Sequence, residues 1–431
     1  MAEILPFRGW RYHERFQKNM ESLLSPLFDV VSLSQRRKLY QNPFNSIHLS
    51  VPDGSDAGDL IRRTLGKWKS SQTIIQDPVP GFYVYYQYFK LPGAGKTICR
   101  KGFVAHIRLY DWEDKVILRH ENTIQNALDD RKNILEKSCF QASPTFGLYL
   151  DDENEISGFL DDAIADPIYD VEDYQGVREV MGLIHDAKVI RKIIRYIKGK
   201  QIILADGHHR YGSALAHKKA KRQQNENYSG KEGFNYHLMH LCSAKSEGIR
   251  ILPTHRLVRK LGISDQEILN TANRYFQIKE VDEAHELEDC VQNKRHTFGL
   301  IFKNRAYRLV FLPEILHHEH STPEVIKNVD VNILHLYFID KVLGIPMDKQ
   351  FTSPLIEYER NTNRCLSEVK EGDAQLAVLV GEIPMEQVIK VCKSGHTLPP
   401  KSTYFYPKLV TGLVFSSINE SDFEFPYEVF Q

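Results

Sequence analysis

The sharpest concentration of reactive side chains lies at Ala205-Asp206-Gly207-His208-His209-Arg210. A short apolar run, Ile202-Ile203-Leu204-Ala205, precedes it and a helix-compatible stretch over 210–222 follows. A glycine between a buried strand and a helix start lets the backbone turn sharply and approach a ligand closely. The first turn of the helix then offers unpaired N–H groups and a positive dipole end, which suit an anion and phosphate above all. Gly207, His208, His209 and Arg210 are therefore the expected phosphate holders. Arg210 can grip two phosphate oxygens at once, while His208 or His209 can donate a hydrogen bond or move a proton near neutral pH. Asp206 can fix a histidine tautomer, bind Mg²⁺ or cap the helix, and an Asx turn with two surface histidines is the plain alternative for the whole unit.

A second polar cluster runs His120-Glu121-Asn122-Thr123, Asp129-Asp130-Arg131 and Ser143-Pro144-Thr145-Phe146-Gly147. Glu121 and Asp130 are candidates for a general base or for metal-binding carboxylates, although their spacing fits no standard metal motif. Helix capping and surface ion pairs over 124–138 would account for them equally. Near the start, Pro6-Phe7-Arg8-Gly9-Trp10-Arg11-Tyr12 offers Arg8 and Arg11 to an anionic ligand, or simply to stacking on neighbouring aromatics. Near the end, the rigid aromatic loop Pro399–Lys408 carries Lys401 and Ser402 and either closes over a ligand or packs on the surface. His317-His318-Glu319-His320 is read as an exposed turn rather than a metal site, since adjacent residues cannot all face one ion. Gly93-Ala94-Gly95-Lys96-Thr97 resembles the tail of a P-loop, but position 90 is Lys90 where that motif needs glycine, and a strand rather than a helix follows.

These residues need a frame. Aromatic and β-branched residues crowd 82–89 and 102–109, which predicts a hairpin. Isoleucines at helical spacing predict a helix over 187–198, ended by Gly199. The polar stretch 221–233 reads as a mobile loop or lid. Further on, 236–242 and 249–252 read as strands, 264–276 as a helix, 297–303 with 306–312 as a hairpin, and 331–343 as an apolar helix. The pattern closes with a strand at 374–380, a helix from Pro384 and a strand at 409–415. Alternation of this kind gives a mixed α/β (α+β) fold, divided into an N-terminal region at 1–245 and a C-terminal α/β region at 246–431.

At 431 residues and 50.0 kDa, the chain is long enough for about two or three domains. Lys and Arg together number 56, as do Asp and Glu, so the net charge is zero and no general affinity for nucleic acid or anionic membranes is expected. Six scattered cysteines without a CxxC pair argue against a disulfide framework or zinc knuckle. With no apolar run long enough for a secretory signal or a membrane span, a cytoplasmic protein acting on a small molecule is expected. Oligomeric state is not legible.

Read together, Pro6-Phe7-Arg8-Gly9, Phe28-Asp29-Val30, His120-Glu121 with Thr123, Asp130-Arg131, Ser143-Pro144 with Phe146-Gly147-Leu148-Tyr149, Ala205–Arg210 and Lys401-Ser402-Thr403-Tyr404-Phe405 with Pro407-Lys408 resemble a widespread bacterial and archaeal family catalogued as a domain of unknown function. The strand–Asp206-Gly207-His208-His209-Arg210–helix unit is in turn similar to the phosphate-binding signature of the ParB and sulfiredoxin superfamily, whose members bind nucleotides and include small-molecule serine kinases. That resemblance implies a nucleotide-binding core with large insertions and a cofactor such as ATP or ADP with Mg²⁺. It further implies phosphoryl transfer to or from a small hydroxylated metabolite, serine or phosphoserine first. Under it, Gly207 to Arg210 hold phosphates, with Glu121, Asp206, His208 and His209 as catalytic candidates and Arg8, His120, Arg131, Lys401 and Ser402 as substrate clamps. A nucleotide-responsive regulatory protein without turnover and a phosphatase-like hydrolase stay open as alternatives.

Overall fold

The aromatic run at Phe82–Lys90 (β1) pairs antiparallel with Thr97–Arg108 (β2), from Tyr83 opposite Val104 to Lys90 opposite Thr97. This hairpin lies within a nine-stranded mixed sheet. In a computed structural model that describes all residues except 55, 92–94, 124, 152, 293 and 431, and the side chains of all the rest except 318, 428 and 430, its remaining strands are as follows. They are Ile117–Arg119 (β3), Thr145–Tyr149 (β4), Tyr169–Glu172 (β5), Arg178–Ile184 (β6), Ile202–Asp206 (β7) and Tyr236–Ser243 (β8), in the order β3-β7-β4-β8-β2-β1-β6-β5, with Ile4–Leu5 added against β2. The glycine-rich turn of the P-loop-like segment falls partly on 92–94, outside the described residues.

β7 runs parallel to β3 and antiparallel to β4, and all five of its residues are buried. A strand flanked on both sides and covered on both faces must be apolar throughout, which is why Ile202-Ile203-Leu204-Ala205 shows no alternation. Helix Ala187–Ile197 (α2) follows Gln125–Ser138 (α1) and precedes His208–Gln224 (α3). The Asp186 side chain caps α2 by accepting from the N–H groups of Lys188 and Val189. Ile190, Ile193 and Ile197 of α2 and Tyr211, Ala214 and Leu215 of α3 join one core with Phe82, Phe103 and Ile202.

The chain forms two compact units: 1–119 with 123–250 and 407–431, and 120–122 with 251–406. The C-terminal stretch thus belongs with the large sheet. The strand expected at 409–415 is absent there; Gly412, at φ +120°, interrupts it, and isolated bridges link Thr411 to Ser25 and Phe415 to Trp10. The expected loop over 221–233 is helical up to Gln224, and beyond it the Glu232 carboxylate accepts hydrogen bonds from Ser229, Gly230 and Asn235, which ties the segment down.

The second unit is built on a six-stranded antiparallel sheet of His255–Val258 (β9), Phe276–Val281 (β10), Thr297–Phe302 (β11), Ala306–Phe311 (β12), Ile356–Glu359 (β13) and Leu376–Leu379 (β14), ordered β10-β12-β11-β14-β9-β13. The helix expected over 264–276 stops at Ala272, because Phe276–Val281 is drawn into the sheet against β12. The apolar helix over 331–343 is present, but it is π-wound from Leu334 to Val342. Gln350 donates to the carbonyls of His335 and Ile345 and so supports the wider turns. Among the described residues no helix is long and apolar enough to cross a membrane.

Candidate functional site

At the end of β7 the chain turns through Gly207, whose φ of +89° lies in the left-handed region, and starts α3 at His208. A side chain here would be strained by the backbone, and its Cβ would sit 2.6 Å from Thr145 Cγ2. The turn aims the Asp206 carboxylate at two cations. Arg210 Nη2 donates to Asp206 Oδ2 at 2.9 Å, and the Lys408 ammonium pairs with Oδ1. Arg210 Nη1 also donates to Ser143 Oγ at 2.9 Å and to the Pro144 carbonyl at 2.7 Å. All three charged side chains are buried near the positive end of α3.

Both oxygens of the Asp206 carboxylate are engaged by cations. Burial alone would raise its pKa, but the charges of Lys408 and Arg210 hold it well below the ordinary carboxylate value. A carboxylate held so firmly in its ionised form is a weak general base. It pairs with Arg210 through one oxygen and with Lys408 through the other. Arg210 also shares a pocket with Arg131 and Ser143, so three residues singled out in the sequence converge within one unit. Arg131 is itself engaged: Nε and Nη2 donate to Asp130, Nη1 to the Ser50 carbonyl, and its guanidinium lies 4.3 Å from the Phe28 ring centre.

A buried polar network adjoins the trio, and sequence reasoning missed it. Arg100, 1% exposed, donates to Gln87 and to the Pro407 carbonyl, and stacks over Phe146 at 4.6 Å. Gln87 in turn donates to Glu179 Oε1 and to the carbonyl of Lys408. Burial, reinforced by Asp173, pushes Glu179 up to about 8, so it carries a proton at neutral pH. The available signal was a charge of each sign, Arg100 and Glu179, within stretches otherwise rich in apolar residues, each beside a second charge, Lys101 or Arg178.

The other expected residues are placed differently. Arg8 donates from Nε to the Asp77 carbonyl and reaches Glu424 at 3.5 Å, while Arg11 makes the bidentate pair with the Asp77 carboxylate. Gly9 N–H anchors the same N-terminal motif by donating to Tyr83 Oη at 2.8 Å. His120, Glu121, Lys401 and Ser402 belong to the second unit, whereas Asp206 to Arg210 belong to the first. Within the second unit, His120 Nε2 and Thr403 Oγ1 are 2.7 Å apart, and Thr403 donates to Glu121 at 3.4 Å. Ser402 donates to the Pro399 carbonyl, and exposed Lys401 adopts a left-handed φ of +59°. Arg256, wholly buried, donates to the Thr254 carbonyl and bonds His335; burial lowers it to about 10. At 317–320, Glu319 accepts from Ser321 and Thr322 as a turn residue, and among the described residues no cluster of three His, Cys, Asp or Glu is placed to hold a metal.

The chain belongs to the family described as protein of unknown function (DUF1015), which it matches over residues 4–332. No curated protein matches its sequence. Among solved structures it is similar to a conserved hypothetical protein from Pyrococcus furiosus, with 12% identity and a TM-score of 0.36 over 74% of this chain and 95% of that one. It is also similar to a free serine kinase in complex with AMP, with 12% identity and a TM-score of 0.37 over 72% and 92%. A C-terminally truncated SbnI from Staphylococcus aureus gives 13% identity and a TM-score of 0.35 over 72% and 85%.

Proposed function

We propose that this member of the DUF1015 family binds a nucleotide, ATP or ADP, through its phosphates at the β7–α3 junction and transfers a phosphoryl group between it and a small hydroxylated metabolite. One observation carries the reading: two buried cations, Lys408 and Arg210, meet on the Asp206 carboxylate at the positive end of a helix, where cations and first-turn N–H groups together suit a phosphate. Phosphoryl transfer depends chiefly on neutralising charge and positioning the reacting oxygens, and such a cradle supplies both. In this reading Arg210 and the first turn of α3 hold phosphate, His208 and His209 donate to it or move a proton, and Asp206 and Lys408 fix the geometry. Mg²⁺ would arrive on the nucleotide's own phosphates, since Asp206 is already taken up by its two cations. Serine and phosphoserine, which the sequence resemblance favours, are the first metabolites to assay.

The test is a thermal-shift series with ATP, ADP, AMP, serine and phosphoserine, with and without Mg²⁺, on the natural protein and on Arg210→Ala. Ligand that binds only the folded state raises the melting temperature, by about 2.7 kcal/mol of stabilisation at a hundredfold excess over its Kd. A nucleotide-dependent rise that vanishes in Arg210→Ala, followed by metabolite phosphorylation in a coupled assay, is the expected result. An Arg210→Ala protein with full nucleotide affinity would refute the assignment, and binding without turnover would favour a regulatory protein.

A further inference from the structure

We propose that the pocket shared by Arg210 and Arg131 binds the apolar body of a phosphate monoester, so that the metabolite phosphorylated here is an alcohol carrying a compact hydrophobic group. The inference rests on the phosphate-holding role of Arg210 proposed above and adds the class of what is esterified. Phe28, Leu49, Ile134, Leu135 and Phe140 form the walls of this pocket, all of them within the first unit. Its polar groups divide into two kinds. Gln141 and Ser213 are committed to the backbone: Gln141 donates to the Tyr236 carbonyl and accepts from Leu238 N–H, and Ser213 donates to the carbonyls of Leu128 and His209. Arg210 Nε and both ring nitrogens of His237 have no hydrogen-bond partner among the described residues, although Arg210 is 8% and His237 3% exposed.

A buried donor left without a partner costs free energy, and native proteins keep such groups where a ligand or water satisfies them. The unmet demand here sits beside the Asp206–Arg210–Lys408 cradle, while the remaining lining is apolar. No carboxylate lines the pocket, and of its two guanidinium groups Arg131 is held by Asp130 and the Ser50 carbonyl, which leaves Arg210 Nε as the cationic donor without a partner among the described residues. The occupant that answers both features has an oxygen-rich anionic head and a hydrophobic remainder. Phosphoserine, whose carbon frame carries an ammonium and a carboxylate, would bring two further charges against the apolar walls without partners for them.

The experiment is titration calorimetry of the natural protein with inorganic phosphate, phenyl phosphate, phosphoserine and benzoate at one ionic strength. Phenyl phosphate should bind about tenfold or more tighter than both inorganic phosphate and phosphoserine, since the ring leaves water, and tighter than benzoate, which lacks the phosphate head. Leu135→Trp, which fills the wall, should abolish the advantage of the phenyl group and keep the affinity for inorganic phosphate. Equal affinities for the three phosphates would overturn the inference while leaving the phosphate site intact. Benzoate as tight as phenyl phosphate would overturn the monoester. Absence of binding by every phosphate would overturn the nucleotide reading as well. If Leu135→Trp does not fold, the ranking of probes on the natural protein still decides.

Discussion

Replacing Asp206 with asparagine removes the one negative charge that two buried cations share. At the 2.9 Å separation of Asp206 and Arg210, unit charges in an effective dielectric of about 20 attract by roughly 6 kcal/mol. Part of that gain is offset by desolvation, and breaking a buried pair by deleting one partner costs about 3–5 kcal/mol because the other partner stays charged and unpaired. Asp206→Asn should therefore destabilise the first unit by about that amount. All three tryptophans, Trp10, Trp68 and Trp112, lie in the first unit, so urea unfolding followed by tryptophan fluorescence reads this unit separately. The pH dependence supplies a second readout. Because the folded carboxyl is held below its unfolded value, its contribution is fully present above about pH 4 and is lost as pH falls through the folded pKa. The gap between natural protein and variant should then narrow on acidification. Lys408→Met leaves the Asp206–Arg210 pair in place and should cost less, about 1–3 kcal/mol. A loss below about 1 kcal/mol for Asp206→Asn, with a gap indifferent to pH, would show that this carboxylate does not hold the cations and would remove the basis for the cradle.

Two further outcomes follow from groups near the trio. Glu179 has its folded pKa raised to about 8 from 4.5, so the first unit should lose stability as pH rises between those values; Glu179→Gln should flatten that slope in urea midpoints taken across the range, and an unchanged slope would contradict it. Gly9→Ala would place its Cβ 2.5 Å from Tyr83 Oη and 2.7 Å from Val414 Cγ2, so overpacking should cost about 1–3 kcal/mol by the same fluorescence assay, and a neutral substitution would show that this anchor yields easily.

The strand–glycine–helix unit was legible because its signals are local: an unbroken apolar run, a glycine, then helical spacing. The π-winding of Leu334–Val342 was not, since it depends on Gln350 arriving from outside the helix. Asp206 and Arg210 could be read as a pair from their spacing of four, but Lys408 lies 202 positions from Asp206, and only the fold brings them together. Sequence likewise gave Arg8 and Arg11 equal claims, whereas the carboxylate of Asp77 goes to Arg11. Arg100 and Glu179 stayed hidden because each sits next to another charge, Lys101 or Arg178, and a strand's sequence does not say which of two adjacent charges is buried or which polar partner it meets.

The return of residues 407–431 to the first unit, after 251–406 have formed another, also sets an order of events at the ribosome. When Asp206 and Arg210 emerge, Lys408 is still 202 residues away, which at about 5–20 residues per second is a delay of roughly 10–40 s. Until then the carboxylate lacks its second cation, and Arg100 and Gln87 lack the carbonyls of Pro407 and Lys408. The nascent large sheet must wait with its charged centre incomplete, while the second unit has all of its own residues in hand before the last part of the first is made.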